Sequence, residues 1–241
     1  MSSGFFEESS KDAYDLTITL AGAGQVGKTS LITRLEFGAK MNIDPTQTAG
    51  VNFSIIKKTF IIQKKTLFSS STEEKFMLIN VSDTVGQERY KSIIRSSYAQ
   101  TNVLLLIYDV TNKQSLERAI EESREFREIN ADKPIIVIGN KCDQKPIITT
   151  SDAQERIDAD SVYFLGEFSA LESIWKPKPD TTITAEEGAI QKLFTEIVRI
   201  WLVHNKEISE EDDIRMKQPK GAVKLSEDSD QQTTRTSNGC C

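Results

Sequence analysis

The spacing of apolar and polar positions changes several times along this chain, and each change marks an element. Leu16-Thr17-Ile18-Thr19-Leu20 alternates apolar and polar before Ala21 and Gly22, the pattern of a strand entering a tight turn. A helical pattern, Ser30 to Phe37, follows the turn. Phe76 to Val81 is apolar-rich and reads as a further strand. Val103 to Tyr108 and Pro134 to Gly139 are continuous apolar runs rich in β-branched residues and too short for helices, so both read as buried strands of a parallel sheet. Between them, Ser115 to Ile129 is charged but places Leu116, Ile120 and Phe126 near one helix face. Thr184 with Glu187 resembles a capping box that opens a last helix through Leu193, Ile197 and Ile200, with His204 at its end. Strands alternating with helices predict an α/β domain with a mostly parallel central sheet flanked by helices.

Composition sets the limits of that domain. The 241 residues suit one core over 15–204, a polar extension over 1–14 and a disordered tail over 205–241, where periodicity and aromatic residues give way to Ser, Gln, Asp and Lys. A formal net charge of −6 gives no reason to expect nucleic acid as a partner. Three cysteines, two of them adjacent at the C-terminus, cannot form a disulfide framework and fit a reducing cytosol. The N-terminus lacks the pattern of a signal peptide, and no apolar run is long enough to span a bilayer.

Chemistry enters at the first turn. Gly22-Ala23-Gly24-Gln25-Val26-Gly27-Lys28-Thr29, followed by Ser30, satisfies GxxxxGK[ST] between a strand and a helix. Such a loop curls backbone N–H groups around phosphate oxygens, and the helix N-terminus adds partial positive charge. Lys28 supplies a point charge to the terminal phosphates, and the Thr29 hydroxyl suits Mg²⁺. A glycine-rich turn with a chance lysine is the bland alternative, and the flanking strand and helix weigh against it.

Asn140-Lys141-Cys142-Asp143 follows a strand directly, at the sheet edge where ligands of such folds bind. The Asp143 carboxylate can accept from N1–H and the exocyclic amine of guanine, a donor pair that adenine lacks, while Asn140 can tie the loop together. Alone, this tetrapeptide is equally a loop at a strand end; paired with the phosphate loop it selects GTP and GDP over ATP. Asp83-Thr84-Val85-Gly86-Gln87-Glu88 also follows a strand, so Asp83 can hold Mg²⁺ through water and Gln87 can orient an attacking water.

Together with Thr48-Ala49-Gly50-Val51-Asn52-Phe53 and Glu167-Phe168-Ser169-Ala170, these motifs resemble the Ras superfamily, with its P-loop NTPase fold and Ras-like G domain, and within it the Rab family. Ala49 to Phe53 resembles that family's IGVDF, Glu88 to Ile93 its ERFRSIT, and Tyr108 to Thr111 its YDVT. The resemblance runs from about Leu16 to Trp201. It implies a small GTPase that cycles between GDP and GTP to regulate vesicle trafficking. It further implies that Thr48 closes over Mg²⁺ and the γ-phosphate, that Gly86 donates to that phosphate, and that Ser169, Ala170 and Leu171 border the guanine. The partners it implies are an exchange factor, a GTPase-activating protein, effectors, and a geranylgeranyl transferase with escort protein and GDP-dissociation inhibitor.

Four positions depart from the family pattern. Met41 stands for the aromatic that packs on the base, Leu171 for a lysine, and Ser82 for a tryptophan that faces partners. Val85 replaces an alanine beside the γ-phosphate, where its β-branch would hinder the rotation that brings Gly86 to the phosphate. A GTP-binding scaffold with little hydrolysis is therefore the alternative function.

Two insertions and the tail complete the reading. Asp83 follows Phe53 by 30 positions, an enlarged hairpin about 57–75 carrying Lys57, Lys58, Lys64 and Lys65, read as a solvated tip rather than an added effector surface. Ile174 to Pro179 reads as a stiff surface loop. Asn238 at the fourth place from the end excludes CaaX prenylation, whereas Cys240-Cys241 resembles the Rab pattern for two geranylgeranyl groups. Six basic against eight acidic residues from Asn205 onward give no polybasic second signal, so both lipids would be needed. The expected location is the cytoplasmic face of an intracellular membrane, in exchange with the cytosol.

Overall fold

A computed structural model describes residues 13–37, 52–65, 69–83, 91–158, 162–172, 174–178 and 188–217. The chain runs β1 (Tyr14–Ala21), α1 (Lys28–Phe37), β2 (Asn52–Lys65), β3 (Ser70–Asp83), α2 (Lys91–Tyr98), β4 (Val103–Asp109) and α3 (Lys113–Arg127). It continues through β5 (Ile135–Asn140), α4 (Thr150–Asp158), β6 (Tyr163–Ser169), β7 (Ile174–Lys176), α5 (Ala189–His204) and β8 (Asp213–Met216). One sheet holds all of these strands in the order β7-β6-β5-β4-β1-β3-β2-β8. The pairs β3/β1, β1/β4, β4/β5 and β5/β6 are parallel, and β2, β7 and β8 are antiparallel additions at the rims.

The period of two in a strand explains the unbroken apolar run of β4. Val103, Leu105 and Ile107 face the core layer under α1 and α5, while Leu104, Leu106 and Tyr108 face the layer under α2, α3 and α4. Both faces are covered, so the run from Val103 to Tyr108 is apolar throughout. α3 starts where the Asn112 side chain accepts from the Gln114 N–H at 3.0 Å, an N-cap that satisfies one of the free amides of the first turn.

Two expectations change. Ile174 to Lys176, expected as loop, forms β7 because β6 leaves an unpaired edge that Ile174, Trp175 and Lys176 fill opposite Ser169, Phe168 and Glu167. Tyr14, expected in the extension, begins β1; its hydroxyl donates to Glu207 at 2.7 Å and its ring packs edge-on against Trp201. The enlarged hairpin is a ladder in continuous register from Asn52↔Asp83 to Lys65↔Ser70, and residues 66–68 at its turn lie outside the described residues, as do Thr184 and Glu187.

The largest correction concerns the tail, whose disorder was expected from Asn205. Instead residues 205–217 fold back, and β8 pairs with β2 from Phe60↔Met216 to Gln63↔Asp213. Ile208, Ile214 and Met216 are buried in the same core layer as Phe60, Ile62 and Trp201. The Asp212 carboxylate accepts from the N–H groups of Ser209 and Lys65, both at 2.8 Å, which fixes the turn into the strand. Lys65 meets Asp213 at 2.7 Å and Lys64 meets Glu73 at 3.4 Å, so two of the hairpin lysines face acids. The hairpin and residues 205–217 thus form one unit. Replacing Ile214 and Met216 together by Ala should cost about 2 kcal/mol per side chain, the low end for buried aliphatic truncations. Thermal unfolding of the full chain reads this, and an unshifted midpoint would argue that β8 is not packed.

Candidate functional site

The sheet brings four loops together at the C-terminal ends of its parallel strands, where ligands bind in open α/β folds. The β1–α1 loop leaves after Ala21, and Asp83 ends β3 opposite Leu20. Asn140 ends β5, and Ser169 ends β6.

Residues 22–27 form a curled loop that leads into α1 at Lys28 and Thr29. Gly22 (φ +123°) and Gly27 (φ +100°) occupy backbone conformations that side chains rarely adopt, and a Cβ at Gly27 would overlap the Asn140 amide. Gly24 and Gln25 are exposed, and Ser30 is half-buried on α1. Lys28 is buried, and its ammonium donates to the carbonyls of Gly22 at 2.9 Å and Ala23 at 2.8 Å. Burial lowers the Lys28 pKa, while Asp83 and Glu122 pull it upward.

Asp83 is buried; its Oδ2 accepts from the Thr29 hydroxyl at 2.6 Å, and its Oδ1 has no partner among the described residues. Burial raises its pKa, opposed by the Thr29 hydrogen bond and by Lys28. A hydroxyl beside a buried, half-satisfied carboxylate is the hard-oxygen donor set that Mg²⁺ takes, so these residues fit that ion.

Asn140 joins the second half of the site to the first. Its Nδ2 donates to the Val26 carbonyl at 2.7 Å, and its Oδ1 accepts from the Ala170 N–H at 3.0 Å. Lys141 (φ +68°) turns the chain and meets Asp109 at 2.5 Å. Burial raises the Asp109 pKa, but hydrogen bonds from Lys141 and Thr111 outweigh it and hold the carboxyl below its ordinary range. The Gln144 N–H closes the turn on the Lys141 carbonyl at 2.9 Å, leaving Asp143 exposed. The Ser169 hydroxyl accepts from the Glu172 N–H at 3.0 Å, and Leu171 is 61% exposed beside it.

Sequence reasoning missed two cations that hold these loops. The buried Arg34 of α1 donates to the carbonyls of Ala170 and Leu171, both at 2.7 Å. Lys176 of β7 donates to the Cys142 carbonyl at 2.9 Å. Neither follows a motif; the hint in the sequence is the register of Arg34, three residues after the buried Leu31 of α1. Thr48, Gly86, Gln87, Cys240 and Cys241, with Met41 and Val85, lie outside the described residues.

The family model described as Ras family matches residues 17–176. Among curated relatives, Ras-related protein RABA4d of Arabidopsis thaliana is 32% identical over 217 residues, covering 88% of this chain and 86% of its own. Ras-related protein Rab11A of Lotus japonicus is 30% identical over 187 residues, covering 76% of each chain. Ras-related protein RGP1 of Oryza sativa subsp. japonica is 32% identical over 210 residues, covering 84% of this chain and 82% of its own.

Proposed function

The chain belongs to the Ras family as a divergent small GTPase of the Rab type, and from that premise we propose that it cycles between GDP and GTP to regulate vesicle trafficking. The observation that carries the reading is the Asn140 side chain, which bonds Val26 and Ala170 at once. A ligand with phosphates at one end and a purine at the other would meet one tied surface there. Lys28 would face the terminal phosphates, and Asp143 the guanine edge.

Thr29, Thr48 and Asp83 are the residues proposed to hold Mg²⁺, Asp83 through water. The ion would offset charge on the β- and γ-phosphate oxygens. Gln87 would orient the attacking water, with the Gly86 N–H on the γ-phosphate. Two geranylgeranyl groups on Cys240 and Cys241 would anchor the protein at the cytoplasmic face of an intracellular membrane, because one lipid gives only marginal residence. No helix among the described residues is long and apolar enough to cross a membrane. Exchange factor, activating protein, effectors, prenyl transferase with escort protein, and dissociation inhibitor are the partners this cycle requires.

The nucleotide retained through purification is expected to be a guanine nucleotide, read by chromatography of the released ligand. Hydrolysis is tested separately: Gln87→Leu should slow single-turnover phosphate release at least about tenfold while GTP affinity stays within about twofold, since the residue orients water and does not hold the ground state. The scaffold reading rests on Val85. Run in the same assay, a silent wild type with an active Val85→Ala variant would support it.

A further inference from the structure

Glu122 lies where a charge is out of place. The buried stripe of α3 runs through Leu116, Ala119, Ser123 and Phe126, and Glu122 falls inside it at 7% exposure. Arg118, one turn back, donates from Nε to its Oε1 at 2.9 Å. The Gly22 N–H favours the ionised carboxyl, as does Lys28, whose own charge is favoured by Glu122 in return. Oε2 has no hydrogen-bond partner among the described residues. A buried carboxylate needs compensation, and part of this one's comes from the first residue and the lysine of the phosphate loop.

We propose that Glu122 is a positioning residue at the rear of the phosphate loop, where the negative charge it holds opposite Arg118 opposes the bound polyphosphate and sets how fast nucleotide leaves. The proposal rests on the guanine-nucleotide reading above. Lys28 donates to two backbone carbonyls and lies in the field of Asp83 and Glu122, so an arriving polyphosphate competes with a buried anion for the charge of the same ammonium. A unit charge acting over ~10 Å through an effective dielectric of ~20 changes an equilibrium about tenfold. A residue that merely braced α3 against the loop would act in the opposite sense: weakening its bond to Arg118 would loosen the loop and speed release.

The test is release of fluorescent GDP from the full chain with Mg²⁺ present, comparing wild type with Glu122→Gln, which keeps size and acceptor and removes the charge. At about pH 8, where an ordinary glutamate is ionised, the variant should release about tenfold more slowly. Burial holds the Glu122 pKa above its ordinary value, among Arg118 and Glu125 on α3, Lys28 on α1 and Tyr98 on α2. Acidification from about pH 8 should therefore slow wild-type release toward the variant's rate at a pH above the ordinary glutamate range, and this step should be missing from the variant's profile. Release by the variant as fast as wild type, or faster, overturns the proposal and leaves the nucleotide assignment standing. A wild type that takes up no guanine nucleotide overturns both.

Discussion

Lys28→Ala is expected to weaken GDP and GTP binding by about 10²- to 10³-fold. The ammonium is a buried cation aimed at the loop interior, fixed by the Gly22 and Ala23 carbonyls, and its desolvation is offset only in part by Asp83 and Glu122. Hydrogen bonds to charged groups contribute about 1.5–3 kcal/mol each, so losing one or two to phosphate oxygens reaches that range. Lys28→Arg is the sharper control. It keeps the charge but substitutes a planar fork for a compact ammonium, and should rescue little. Titration with labelled GDP at fixed Mg²⁺ and salt measures both, and undiminished affinity in Lys28→Ala would remove the phosphate-loop assignment.

The parts of this molecule that were legible in the sequence are those where chemistry or burial dictates residue type locally. Gly22 to Thr29 could be read because a curled loop needs glycines at positive φ, and β4 because both of its faces are covered. Rim strands were not legible. β7 has three residues and β8 four, and each exists because a neighbouring strand offers an open edge, a condition that no window of sequence records. Ile214 and Met216 did alternate with charged residues, but the polar composition around them outweighed two positions. Arg34 and Glu122 show the other limit: on a charged helix such side chains read as solvated, and only their register with the buried stripe marks them. Glu122 sits three residues after Ala119 and four before Phe126, a spacing that could have drawn attention to it.

Base selectivity gives the second large effect, because the loop that carries Asp143 is held without help from that side chain. Asn140 bonds Val26 and Ala170, the Cys142 N–H bonds the Phe168 carbonyl at 3.2 Å, Lys176 bonds the Cys142 carbonyl, and Lys141 meets Asp109. Asp143 itself is exposed, so replacing it should leave the unfolding midpoint nearly unchanged. Asp143→Ala removes both acceptors for guanine and should lower GDP affinity by about 10²-fold or more while leaving ADP affinity where it was. Asp143→Asn makes the stronger case, since an amide offers one acceptor and one donor. That pair complements xanthine, which carries N1–H beside a carbonyl in place of the amine, so preference should pass from guanosine to xanthosine diphosphate. Asn140→Ala is the contrast: it orphans the buried Val26 carbonyl and Ala170 N–H and should lower stability and affinity together. Competition of GDP, XDP and ADP against a labelled nucleotide separates these outcomes, and an Asp143→Asn variant that still prefers guanine would mean that the base is read by some other group.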